Sequence, residues 1–350
     1  MPCRRPRGPG RRGRGSGSSG TESAFQHLNG QGLLAKDRCT GLCTSMPCIR
    51  RVSGKASATR IKRRFSALVL RHQWFSLKRL AETHSRFRCY RTPHSGEAAH
   101  AAAAAAMLHK AGRDGSCLEC GAHWPMGAEA ARALAAAGEH PSALHNNCSG
   151  KHAGFVCVAS ATGADAEGYV RPDHPVMREV AAALAEVTGA TLDEAGRATD
   201  GCSIPTYAVP LRSLALGFAR FGTGHGFGPA RAAAARRIRA AVAAHPFMVV
   251  GTGRFDTELM AVLGARAFVK TGAEGVHCGA LPELGLGFAL KYDDGAGRAA
   301  EVVTAALVRH FLRPQGEPAS ILDRLARPGL RNWNGIVVGG LRPAGTVQAL

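Results

Sequence analysis

From residue 94 onward the apolar positions fall into a regular pattern, and before it they do not. Helical spacing recurs over residues 97–112, 126–137, 174–188, 229–244, 256–263 and 298–312. Gly112 and Gly138 suit helix C-termini, and Pro175 suits a first helical turn. Short apolar runs predict strands around 154–160, 204–209, 266–270, 285–291 and 335–340, and Asp293-Asp294-Gly295 marks a turn. Helices interleaved with strands predict an α+β protein, a mixed sheet with helices packed around it. Residues 1–20 are Arg/Gly/Ser low complexity that cannot build a core. In residues 21–93 strand alternation is missing, and the one apolar spacing predicts a helix around Phe65–Leu80.

Charge divides the chain at the same place. Of 45 Lys and Arg, 21 precede residue 94, against three of the 25 acids, so this stretch carries +18 of the net +20. The remainder is nearly neutral. We therefore divide the chain into a basic segment, 1–93, and a folded domain, 94–350. Nucleic-acid binding through phosphate contacts would rest on the first segment alone and is not the expected role of the whole. No apolar run reaches the roughly 18 residues that cross a bilayer, and no secretory signal is legible. The eleven cysteines are accordingly expected to be free thiols in a cytoplasmic protein.

Four stretches carry candidate chemistry. In His145-Asn146-Asn147-Cys148-Ser149-Gly150-Lys151-His152 a thiol precedes a lysine by three residues. If a helix opens past Gly150, its N-terminus and the Lys151 ammonium both favour a Cys148 thiolate. In Asp200-Gly201-Cys202-Ser203 the cysteine is read as a packing residue or a site thiol. Gly251-Thr252-Gly253-Arg254-Phe255-Asp256-Thr257 can cradle an anion with backbone N–H groups but lacks the lysine of a phosphate loop. Lys270-Thr271-Gly272 closes an apolar run, where a partly desolvated lysine can act as a general base. Cys117-Leu118-Glu119-Cys120 has no second CxxC pair at zinc-ribbon distance. His109, His123 and His310 are expected at the surface or in packing.

Together with His94-Ser95-Gly96-Glu97, Trp124-Pro125 and Asn332-Trp333-Asn334-Gly335, these stretches resemble the rhizobial, or type III, L-asparaginases over about residues 94–350. The resemblance implies a fold like serine β-lactamases and glutaminases, a homodimer, and hydrolysis of L-asparagine to L-aspartate and ammonia. Glutamine or another amide is the alternative substrate. It further implies a site with Cys148, Lys151 and Lys270 as catalytic residues and Cys202 at the substrate. Cys148, Lys151 and Cys202 would form a cluster able to hold zinc.

Two departures stand against full activity. The family carries an Arg-Ser-x-x-Lys stretch upstream whose serine is the expected nucleophile. Here Arg51-Val52-Ser53-Gly54-Lys55 does not fit that spacing, and Pro93 stands where the family has a serine. Mismatch, charge excess and cysteine excess all end near residue 93. That coincidence is what a shifted reading frame or a wrong start would produce.

Overall fold

The computed structural model describes residues 48–51, 68–70 and 94–348. Among them lie nine strands and ten α-helices in an α+β arrangement. The main sheet is antiparallel, in the order β1-β7-β6-β5. Its strands are β1 (Cys48–Arg51), β5 (Phe268–Thr271), β6 (Val276–Leu281) and β7 (Leu286–Lys291). All six residues of β6 are buried, so both faces of the sheet are covered. Helix α5 (Leu211–Thr223) packs on β7 and β6, and α9 (Gly297–Leu312) packs on β6.

Helix α5 lies directly on the strand backbone, and Gly287 is what permits it. A Cβ there would meet the Ala215 carbonyl oxygen at 2.2 Å and the Ala219 nitrogen at 2.3 Å. Both are backbone atoms of a packed helix and cannot turn aside. G287A is therefore expected to lose about 3 kcal/mol of stability, measured by urea unfolding, whereas G228A, where nothing lies within 4 Å, tests a glycine with open space.

A second sheet, β2-β4-β3, joins Leu68–Leu70 to β4 (Pro205–Val209) and β3 (Arg197–Thr199). A third is the ribbon of β8 (Gly329–Arg331) and β9 (Val337–Gly340), exposed at every residue. Its base is closed by Leu341 N–H donating to the Pro328 carbonyl at 3.0 Å, and Trp333 at its tip is fully exposed.

The remaining helices are α1 (Ala98–Lys110), α2 (Ala128–Ala136), α3 (Ser149–Thr162), α4 (Pro175–Thr188), α6 (Pro229–Ala244), α7 (Phe247–Val250), α8 (Phe255–Leu263) and α10 (Glu317–Ala326). Apolar side chains gather in two clusters. One surrounds the main sheet, and the other surrounds α3 and α4, with Ile238 packed against both.

Two expectations need correction. The strand predicted at 154–160 is the body of α3. Every residue from Ser149 to Ala159 is buried, so the helix shows no polar face and its apolar run imitates a strand. The helix predicted around Phe65–Leu80 contains β2 at 68–70, and its other residues lie outside the described ones. Within the basic segment, residues 48–51 pair with β7, and 68–70 pair with β4.

Candidate active site

The HNNCSGKH stretch forms a tight loop that ends in α3, with Cys148 at the helix N-cap. Asn146 fixes the loop from within. Its side-chain oxygen accepts from Cys148 N–H at 2.8 Å, and its amide nitrogen donates to the carbonyls of Cys120 and Gly121 at 2.8 and 3.0 Å. The CxxC stretch thus contributes backbone carbonyls to the site. His123 accepts from Asn147 N–H at 3.0 Å. It anchors the loop from the half-buried surface.

One turn into the helix, Lys151 is fully buried. Its Nζ lies 3.0 Å from Cys202 Sγ and 3.8 Å from Asp200 Oδ2. Cys202 Sγ is 3.2 Å from Asp200 Oδ2 and is hydrogen-bonded to Cys148. The two sulfurs, the amine and the carboxylate therefore converge, although the cysteines are 54 positions apart (202 − 148). The turn carrying Cys202 is tight. Ser203 N–H donates to the Asp200 carbonyl, and Ser203 takes φ 78°, unusual for a residue with a side chain.

Electrostatics follow from these contacts. The hydrogen bond from Cys202 lowers the Cys148 pKa to about 6, with Lys151 assisting against burial. The same bond and burial push Cys202 up to about 12. Burial opposes the Lys151 charge, but Cys148, Cys202 and Asp200 more than offset it, and its pKa is raised. Behind the cluster, burial lowers His152 to about 4. Its Nδ1 is 2.6 Å from the Tyr169 hydroxyl, while Nε2 lies beside Cys202 without a well-formed hydrogen bond.

Lys270 approaches from the main sheet. It sits in β5 opposite Cys278 and donates to the Thr271 carbonyl. Burial lowers its pKa to about 8, with Asp256 opposing and Cys148 also acting on it. Asp256, at the start of α8, accepts from Thr271 N–H at 2.7 Å, Thr271 Oγ1 at 2.9 Å and His277 Nε2 at 2.8 Å. Burial opposes the Asp256 charge, but His277, Lys270 and Thr271 hold its carboxyl well below the usual carboxylate range. A depressed pKa stabilises the fold above the ordinary carboxylate pKa and is lost as pH falls. The unfolding midpoint of the parent chain should accordingly drop between about pH 4 and pH 2 more steeply than that of D256N. Urea melts across that range measure it, and parallel curves would contradict it.

Two further stretches meet here. Thr252 N–H and Oγ1 donate to the Glu97 carboxylate at 2.8 and 2.7 Å. The anion cradled by the GTGR loop is thus a side chain of the His94-Ser95-Gly96-Glu97 stretch. His94 Nδ1 accepts from Gly96 N–H at 3.1 Å, which leaves the proton on Nε2, 3.1 Å from Ser149 Oγ. His94 therefore donates to Ser149 and does not activate it as a base.

The structure thus brings Cys148, Lys151 and Cys202 into contact and sets Lys270 within electrostatic reach. Sequence reasoning missed Asp200, His152, Asp256 and His277. Asp200 stood in a quoted stretch two residues from Cys202 and could have been found there. His277 lies in a buried strand with no local signal. Ser53 and Lys55 lie outside the described residues, and no described helix is long and apolar enough to cross a membrane.

Among curated proteins nothing matches this chain. The family described as L-asparaginase II matches residues 78–343, beginning upstream of His94 and ending beyond the β8–β9 ribbon. That span holds every residue of the cluster just described and well over half of the sequence: the chain belongs to the L-asparaginase II family.

Proposed function

We propose that the buried cluster at the N-terminus of α3, with Lys270 of β5, is an L-asparaginase site, built to hydrolyse the side-chain amide of L-asparagine to L-aspartate and ammonia. The observation that carries this reading is the convergence of Lys151, Cys148, Cys202 and Asp200 in one buried cluster beside Lys270. A half-buried lysine whose pKa is lowered to about 8 can take a proton near neutral pH, as a general base must.

The reaction also needs a hydroxyl nucleophile activated by a base. Among the described residues, several hydroxyls of the motif stretches are engaged elsewhere. Ser95 Oγ donates to the Val250 carbonyl and Thr271 Oγ1 to Asp256, Thr252 Oγ1 donates to Glu97, and Ser149 Oγ faces the His94 donor. We therefore read the chain as an asparaginase whose hydrolytic step is impaired by the departures at Arg51–Lys55 and Pro93.

Zinc fits the donor set. Cys148, Lys151 and Cys202 would hold it: two thiolates are common zinc donors, and the deprotonated lysine amine would add a nitrogen. The buried His152 Nε2, without a hydrogen bond of good geometry, borders the same place. No three His, Cys, Asp or Glu side chains form a metal-holding group among the described residues, so the set depends on the Lys151 amine losing its proton. Loading should rise with pH. When bound, zinc would supply Lewis-acid polarisation of a carbonyl. The fold of the serine β-lactamase type, the homodimer and the cytoplasmic location belong to this same reading.

Two measurements on the full chain test it. Calorimetric titration with L-asparagine, L-aspartate and L-glutamine should show saturable binding of asparagine and aspartate at millimolar concentration or below. No binding of any of them would overturn the assignment, and tighter glutamine binding would move it to a glutaminase. Cobalt(II) added in place of zinc should give a thiolate charge-transfer band that strengthens from pH 7 to pH 9 and vanishes in C202S. A band unchanged in C202S would remove the metal site.

A further inference from the structure

Lys270 does not stand alone in its wall. Four buried or half-buried groups run behind it in an unbroken hydrogen-bonded line. Lys270 Nζ donates to the Thr271 carbonyl. Thr271 is clamped to Asp256 twice, through its N–H at 2.7 Å and its hydroxyl at 2.9 Å. Asp256 Oδ1 also accepts from His277 Nε2 at 2.8 Å, and His277 Nδ1 is 2.9 Å from Thr304 Oγ1 in α9. Asp256, His277 and Thr304 are each at most 1 % exposed. The line crosses three elements, α8, β6 and α9, before it reaches β5.

Such a line is costly to bury unless every member is satisfied. Here each member is, and the line ends at the Lys270 amine of β5. A carboxylate used only for packing would not need to fix both the backbone and the hydroxyl of the residue beside that lysine. Resting on the reading of Lys270 as the base, we propose that Asp256, held by His277 and Thr304, is a positioning residue: it fixes Thr271, and through Thr271 it fixes the direction of the Lys270 amine. Asp256 touches no reacting atom in this scheme.

The groups that act on Lys270 come from several sides. Asp256 on α8 and Cys148 at the N-cap of α3 favour its charge, as does Cys278 opposite it on β6, and Arg254 just before α8 disfavours it. Asp256 heads these partners, after burial itself. Removing its negative charge therefore makes the neutral amine more abundant at a given pH, and loosens Thr271 at the same time.

The test is amine labelling of the full chain without asparagine. An acylating reagent is applied from pH 6 to pH 10, and modification of Lys270 is read from its peptide by mass spectrometry. In D256N the midpoint of the labelling curve should fall by about 0.5–1, which raises Lys270 labelling at pH 7 about 3–5-fold. H277L leaves the carboxylate less satisfied and should move the midpoint upward. H277Q, which keeps a donor where Nε2 stands, should restore the parent curve. This pair serves if D256N fails to fold. A D256N midpoint that stays put or rises overturns the proposal, as does an H277Q curve that follows H277L. Because no hydrolysis is read, a chain that never cleaves asparagine yet shows these shifts would sink only the asparaginase reading.

Discussion

Full-length chain supplied with L-asparagine should release ammonia at least about 10³-fold more slowly than a chain whose upstream segment carries an Arg-Ser-x-x-Lys stretch at the family's spacing. The reason is chemical. Loss of a nucleophile in a hydrolase costs on the order of 10⁶ in turnover, and what survives comes from binding and oxyanion contacts. Lys270 can accept a proton, but the hydroxyls of Thr252, Thr271 and Ser95 are spent on Glu97, Asp256 and the Val250 carbonyl. Pro93 has no hydroxyl to offer. A turnover number of about 1 per second or more in the chain as it stands would show that another hydroxyl does the work. The coding sequence upstream of codon 94, read in all three frames, gives the companion observation. A frame carrying the missing stretch supports a shifted reading frame, and three frames without it rule that out.

The second large effect concerns stability. K151M should weaken the fold by about 3–5 kcal/mol, the usual consequence of removing one partner from a buried ion pair. Lys151 is fully buried, and the Asp200 side chain is 3 % exposed at 3.8 Å. Methionine matches the stem of lysine but leaves the Asp200 carboxylate without its cation. K151M/D200N should recover a large part of the loss, because the asparagine carries no charge to strand. The raised Lys151 pKa gives the pH signature. Its contribution is complete below the ordinary lysine pKa and fades as pH rises through the higher folded value. The parent and K151M should therefore differ by a constant amount from pH 6 to pH 9 and converge only at strongly alkaline pH. Urea unfolding of the three proteins decides it, and a K151M chain as stable as its parent would mean that the cluster is hydrated.

How far the sequence could be read depended on local signal. Helices with one polar face, such as Pro175–Thr188 and Gly297–Leu312, were legible because their period survives at the surface. Ser149–Thr162 was not, because it is buried on all sides through Ala159. Val276–Leu281 fails for the same reason in strand form: it is covered on both faces, so alternation is erased. The site was legible where chemistry was dense, at Cys148, Lys151 and Cys202. Its electrostatics depend on partners such as Asp200, Asp256 and His277, whose importance lies in distances across the fold that no stretch of sequence displays.

The ribbon of β8 and β9 leaves and rejoins the body at almost one point, since Pro328 and Leu341 are bonded to each other. A loop that begins and ends in the same place can be lengthened without pulling on what it springs from. An affinity tag or fluorescent reporter spliced in between Trp333 and Asn334 should leave the rest of the chain undisturbed, giving the protein a ready handle for immobilisation.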